Sequence, residues 1–171
     1  LGYACDGVSG QVALPICSFS ENTSGDHSVP SPGCTLSKTI SVIGKMTVTG
    51  GDKDNLHLIV AADGKKHFVL VEPTAPKLHE LVLIYVKLIG GKGDGGYGGS
   101  ISSGRKTKLD IRHSAFVGNT ATLGGGAIGA IETSVLLDNV LFEANEANWG
   151  GALYFSGGTI TTISECTFQS N

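Results

Sequence analysis

Leu109-Asp-Ile-Arg-His-Ser-Ala-Phe116-Val-Gly-Asn119 is followed by Val135-Leu-Leu-Asp-Asn-Val-Leu-Phe142-Glu-Ala-Asn145 and then by Thr161-Thr-Ile-Ser-Glu-Cys-Thr-Phe168-Gln-Ser-Asn171. The three phenylalanines stand 26 residues apart, and each is followed by a variable residue, a small residue and Asn. Between these segments a second element recurs, Gly125-Gly126-Ala127-Ile128 and Gly150-Gly151-Ala152-Leu153. A fixed period of this length marks a stacked repeat, in which one unit cannot bury its apolar face without its neighbours.

Aligned on Phe116, Phe142 and Phe168, the copies share apolar columns: Leu109, Val135, Thr161; Ile111, Leu137, Ile163; and Ser114, Val140, Cys166. The columns alternate with period two on either side of a polar pair, Arg112-His113 and its equivalents. Two short strands joined by a bend satisfy that pattern, with both inward faces aimed at one axis. The fold expected is all-β, a right-handed parallel β-helix of the pectin-lyase-like solenoid kind, with about six coils. Leu81–Gly91 fits the same frame, with Leu88 in the Phe column, Gly91 in the Asn column and Gly98-Gly99-Ser100-Ile101 as the second element. Thr39–Val48 and Leu56–Val71 read as two degenerate coils.

Residues 1–38 differ in character and are expected to form an N-terminal cap, with the β-helix over 39–171 and its signature repeats over 81–171. The cap segment holds Cys5, Cys17 and Cys34, three prolines and the sequon Asn22-Thr-Ser. Clustered cysteines in an irregular polar segment point to an oxidising, extracellular setting, with at least one disulfide stapling the cap and Asn22 as a glycosylation candidate. Four cysteines allow three pairings, and spacing does not choose among them. Cys166, in an inward column, is expected as a buried free thiol. The last repeat stops at Asn171 with no closing element, so an open end covered by further coils or by another subunit is expected.

The repeat signature is structural in kind. Asn119, Asn145 and Asn171 suit a tight left-handed corner and can stack their amides along the axis. Phe116, Phe142 and Phe168 form an interior stack, and Gly125, Gly126, Gly150 and Gly151 permit positive φ at another corner. Gly91-Lys-Gly-Asp-Gly-Gly96 matches a dinucleotide-binding pattern, but no helix follows it, so it reads as a surface loop. The histidines share no metal-ligand spacing, Asp110, Asp138 and Glu165 fall in three different columns, and Arg112 is placed to pair with Asp138. No catalytic, cofactor or metal residue is assigned, and the chain is expected not to be an enzyme.

Charge is uneven along the chain. All twelve Lys and Arg lie between Lys38 and Arg112, where seven acids leave +5, and five acids with no base follow. In a solenoid this separates charge along the axis and favours head-to-tail contact, while a net charge of −3 gives no reason to expect nucleic acid. No apolar run is long enough for a transmembrane helix.

The pairing of Phe-x-x-Asn (116–119, 142–145, 168–171) with Gly-Gly-Ala-Ile or its variant (125–128, 150–153) resembles the repeat of chlamydial polymorphic outer membrane proteins. That resemblance implies a secreted or cell-surface β-helix, often adhesive. The functional expectation is an extracellular structural or adhesive protein, a homo-oligomer, head-to-tail polymer or subunit of a filament or larger surface assembly, with a glycan or surface protein as partner. The alternatives are a polysaccharide lyase or hydrolase fragment and a plain glycan-binding module, the latter favoured if Tyr85, Tyr97, Trp149 and Tyr154 line one outer groove.

Overall fold

The computed structural model describes residues 14–19, 23–61, 63–74 and 78–171, and contains no helix among them. Nineteen strands wind into a parallel β-helix. On the first face stack β1 (Thr23–Ser28), β3 (Ile40–Thr49), β6 (His79–Ile84), β10 (Thr107–Arg112), β14 (Ser134–Asp138) and β18 (Ile160–Ser164). On the second stack β2 (Gly33–Thr35), β4 (His57–Val60), β7 (Val86–Ile89), β11 (Ala115–Val117), β15 (Leu141–Glu143) and β19 (Thr167–Gln169). The third face has two parts. Its short part holds β8 (Lys92–Gly93), β12 (Thr120–Gly124) and β16 (Glu146–Trp149); its longer part holds β5 (Phe68–Leu70), β9 (Ile101–Ser103), β13 (Ile128–Ile131) and β17 (Leu153–Ser156). Six rungs on the second face make about five full turns.

The columns read from the sequence are the observed register. Leu81, Leu109, Val135 and Thr161 are successive partners, as are Leu83, Ile111, Leu137 and Ile163. Leu88 precedes Phe116, Phe142 and Phe168 in one column, and Ile101 precedes Ile128 and Leu153 in another. The Phe rings stack at 5.3 and 4.9 Å, nearly coplanar; Phe116 and Phe142 are fully buried, each burial stabilising by about 1.5–3 kcal/mol. Phe168 and Ile163 lie on the last described rung and are half exposed.

The early coils differ from the expected division. The segment Thr39–Val48 is not a coil: β3 carries the chain around a corner, with Ile40 and Ser41 pairing β5 and Lys45–Thr49 pairing β6. The solenoid pairing already includes β1 and β2, both inside the segment read as a cap. Cys17 bonds Cys34 of β2, tying the stretch before the first coil to the second face; Cys5 and Asn22 lie outside the described residues. Cys166 is a free thiol, but it is only half-buried because it sits on the last described rung.

Four bends define the cross-section, and three of them take non-glycine residues into the left-handed region. The expected bend between the first two faces is there, with φ of 57°, 48°, 52° and 51° at Tyr85, His113, Asn139 and Glu165. At the next corner the left-handed residues are Gly118, Ala144 and Ser170 (62°, 52°, 55°), so the expectation that Asn119, Asn145 and Asn171 take that conformation is corrected. The small residue turns the chain, which aims the following Asn inward. The glycine pair also divides its labour. Gly125 and Gly150 have positive φ, whereas Gly126 and Gly151, also expected to, do not; a Cβ on Gly126 would collide with the Gly151 carbonyl oxygen, so its role is close approach between coils.

Candidate functional site

The repeated asparagines form a buried ladder. The amide of Asn119 donates to Asn145 Oδ1 at 2.9 Å and to the Leu88 carbonyl at 3.2 Å. Asn145 Oδ1 also accepts from the Asn119 backbone N–H at 3.1 Å. One coil on, the Asn145 amide donates to Asn171 Oδ1 at 2.8 Å and to the Phe116 carbonyl at 3.0 Å. Each amide thus satisfies backbone groups the corner would otherwise orphan inside the solenoid. Gly91 has no side chain to continue the ladder, and His67 occupies the space: a Cβ on Gly91 would meet both Asn119 Oδ1 and His67 Nδ1 at 2.8 Å. His67 is fully buried, its Nε2 donating to the Ile59 carbonyl at 3.0 Å and its Nδ1 accepting from the Ser100 hydroxyl at 2.9 Å. Burial pushes its pKa down to about 4.

A hydroxyl ladder not expected from the sequence runs along the corner before the first face. Thr107 Oγ1 lies 2.6 Å from Ser103 Oγ and 3.4 Å from Thr133 Oγ1, and Thr133 donates to the Gly104 carbonyl at 3.0 Å. The signal was present, since Thr107, Thr133 and Thr159 are themselves 26 apart.

The ionisable groups of the first face's outer surface are tied to one another. Lys45 and Lys108 both reach Glu80, at 3.5 and 2.7 Å, and the hydrogen bond that Lys108 donates to the Glu80 carboxylate holds the Lys108 ammonium pKa above its ordinary value. Arg112 makes a bidentate pair with Asp110 at 2.7 and 2.9 Å, not with Asp138 as expected; Asp138 instead accepts from the Ser164 hydroxyl at 2.6 Å. Residues two apart on one strand project from the same side, so Asp110 reaches the guanidinium in plane. Beyond this face, Lys106 pairs with Glu72 and Arg105 with Glu132, both at 2.9 Å. Among the described residues no group of three or more His, Cys, Asp or Glu is placed to hold a metal ion.

One outer corner has different chemistry. Tyr97, Gly124 and Trp149 are partners on three successive coils. The glycine in the middle leaves a gap filled by the ring of Tyr154: a Cβ on Gly124 would lie 2.8 Å from Tyr154 Cγ. Gly129, the register partner of Tyr154 in the coil before, makes room in the same way for Tyr97. The two tyrosine rings stack at 4.6 Å, and the Tyr154 hydroxyl, hydrogen-bonded to that of Tyr97, holds the Tyr97 phenol above its ordinary pKa. The indole of Trp149 leans on Tyr154 at 6.4 Å and is 55% exposed. Tyr85 belongs elsewhere, stacked on His113 at 5.1 Å, so three of the four aromatics considered from the sequence come together. Their sequence distances show nothing of this; the two glycines bring it about.

Beside this corner the short part of the third face forms an open groove of about 240 Å³, lined by Lys92 and Asp94 on one coil, Thr120 and Thr122 on the next, and Glu146 and Asn148 on the third. Lys92, Thr120 and Glu146 are register partners, so the groove runs along the solenoid axis and crosses three rungs, roughly 10 Å at strand spacing. Lys92 lies 3.9 Å from Asp94. Lys66, whose pKa burial lowers, donates to the carbonyls of Tyr97 and Gly98 at 2.7 and 2.6 Å and anchors the glycine-rich segment that carries Tyr97. That segment enters as β8 and has no helix after it, as read from the sequence. Compared with protein families, curated proteins and solved structures, the chain matches none.

Proposed function

We propose that this chain is an extracellular β-helix with a structural or adhesive role and no catalytic activity of its own. The observation that carries the reading is the exposed aromatic corner beside a polar groove, on a scaffold whose repeated residues are all used in packing and turns. Trp149 is the exposed member, backed by the half-buried Tyr154 and Tyr97, and aromatic groups of this kind dominate contact energies at recognition surfaces. On the first face Lys45, Lys108 and Arg112 are meanwhile engaged with Glu80 and Asp110 in ion pairs, and Asp138 is engaged with the Ser164 hydroxyl, rather than converged on a reaction centre. The Cys17–Cys34 disulfide supports an oxidising compartment, and no described helix is long and apolar enough to cross a membrane.

The axial charge separation supports a second element of the reading, head-to-tail association into a filament or larger surface assembly. Incubation with immobilised extracellular polysaccharides and surface glycoproteins tests the first element. Retention without release of reducing ends or unsaturated products is expected, and turnover of any neutral or acidic glycan refutes it. Sedimentation velocity across a concentration series tests the second. Association that weakens with salt is expected, and a monomer at every concentration refutes it.

A further inference from the structure

We infer that the Trp149 corner and the adjoining axial groove form a binding site for a neutral saccharide chain; this names the partner class of the adhesive reading above and rests on it. Carbohydrates present two kinds of surface, a face of C–H bonds and an edge of hydroxyls, and a site for them needs both complements side by side. The corner supplies the first. Trp149, on β16 at the end of its sheet, offers a half-exposed indole that leans on Tyr154, which is itself stacked on Tyr97. An aromatic group whose neighbours already fix it loses little conformational freedom on binding.

The groove supplies the second complement. The groove lining reaches Asn148 on β16, and Trp149 ends the same strand, so groove and corner share one strand. Thr120, Thr122, Asn148, Asp94, Glu146 and Lys92 provide hydroxyl, amide, carboxylate and ammonium groups over three rungs, a mixture of donors and acceptors that matches sugar hydroxyls. Because the rungs are stacked in register, these groups repeat along the axis, and an extended chain laid along the groove meets a polar group at each coil. The cations gather at the Asp94 end, where Lys92 lies 3.9 Å from Asp94 and Lys65 and Lys66 border the adjoining pocket, Lys66 being held by the carbonyls of Tyr97 and Gly98. At the other end, two rungs from Lys92, a uronate or sulfate would meet the Glu146 carboxylate with no cation lining that rung of the groove. The charge selects against polyanions and leaves neutral hexose polymers.

Trp149 is the single tryptophan of the chain, so its fluorescence reports this corner alone. The experiment titrates the protein with cellohexaose, mannohexaose, laminarihexaose and hexagalacturonate, following tryptophan emission and, in parallel, heat by calorimetry. At least one neutral hexasaccharide should shift or quench the emission in a saturable way, and hexagalacturonate should bind at least about tenfold more weakly, equivalent to about 1.4 kcal/mol. Trp149→Ala, at an exposed position, should cost at least about tenfold in the calorimetric affinity while leaving the unfolding midpoint in place. Glu146→Lys should narrow or reverse the discrimination against hexagalacturonate. Absence of any emission change with all three neutral probes overturns the inference, as does tighter binding of hexagalacturonate than of every neutral probe. Saccharide binding that Trp149→Ala leaves unchanged overturns the site while the adhesive reading stands.

Discussion

Lowering the pH from 7 to 4 should weaken this fold through one interior histidine. His67 is neutral and fully buried, and its imidazole holds both of its hydrogen bonds within the solenoid, one to the Ile59 carbonyl and one from Ser100. In the unfolded chain the same side chain takes up a proton near its ordinary 6.5, whereas in the folded protein it does so only at about 4. Between those values the unfolded state binds the extra proton, so stability rises with pH across the window and is lost as pH falls through it. Each pH unit in the window is worth about 1.4 kcal/mol, giving a total loss of about 3 kcal/mol between pH 6.5 and 4, with no contribution from this group above 6.5. Urea unfolding of the wild type and of His67→Gln, at half-unit steps from pH 7.5 to 4, provides the measurement. Gln carries no proton in this range, so subtracting its profile removes the contribution of the carboxylates common to both proteins. The wild type should be the more stable of the two at pH 7, and the gap should narrow or invert towards pH 4. A difference between the two profiles that stays constant from pH 6.5 to 4 refutes the reasoning.

Three further outcomes follow from the ladder, the corners and the disulfide. Asn145→Ala removes the partner of the Asn119 backbone N–H and amide and of the Phe116 carbonyl. With a buried orphan costing about 1–3 kcal/mol each, denaturant unfolding should show a loss of at least about 3 kcal/mol, and a loss under about 1 kcal/mol contradicts the ladder's role. The two small-residue positions should respond in opposite directions. Ala144→Gly relieves a left-handed alanine and should raise stability by about 0.5–1 kcal/mol, while Gly126→Ala forces a Cβ against the Gly151 carbonyl and should cost about 3 kcal/mol or prevent folding. Thermal midpoints of the pair decide it, and a destabilised Ala144→Gly speaks against the strain. Reducing Cys17–Cys34, which spans 17 residues, should lower stability by about 3 kcal/mol, measured as the shift in urea midpoint with a phosphine reductant. An unchanged midpoint contradicts the staple.

The core was legible because a solenoid converts period into stacking. Once Phe116, Phe142 and Phe168 are aligned, every inward column follows, and the register repeats those columns residue for residue. Local conformation departs from the pattern. Asn is a favourable left-handed residue, so the corner was assigned to it, yet the adjacent Gly118, Ala144 and Ser170 take that backbone. The interior ladder needs the amide aimed inward, and that outweighs the intrinsic preference of Asn. Similarly, Arg112 lies across a strand from Asp138, but an in-plane bidentate pair with Asp110 on its own strand is the better geometry.

By itself the sequence determined the parallel β-helix, its 26-residue coil, the stacked Phe and Asn columns and the bend at His113, Asn139 and Glu165. These depend on interactions between equivalent positions of adjacent coils, which a constant period makes explicit. Only the tertiary structure decided how unlike positions meet. Tyr97, Trp149 and Tyr154 converge because Gly124 and Gly129 omit side chains between them, and His67 ends the Asn ladder because Gly91 leaves its place empty. Such contacts rest on gaps in one coil filled from another, and a gap has no periodic signature.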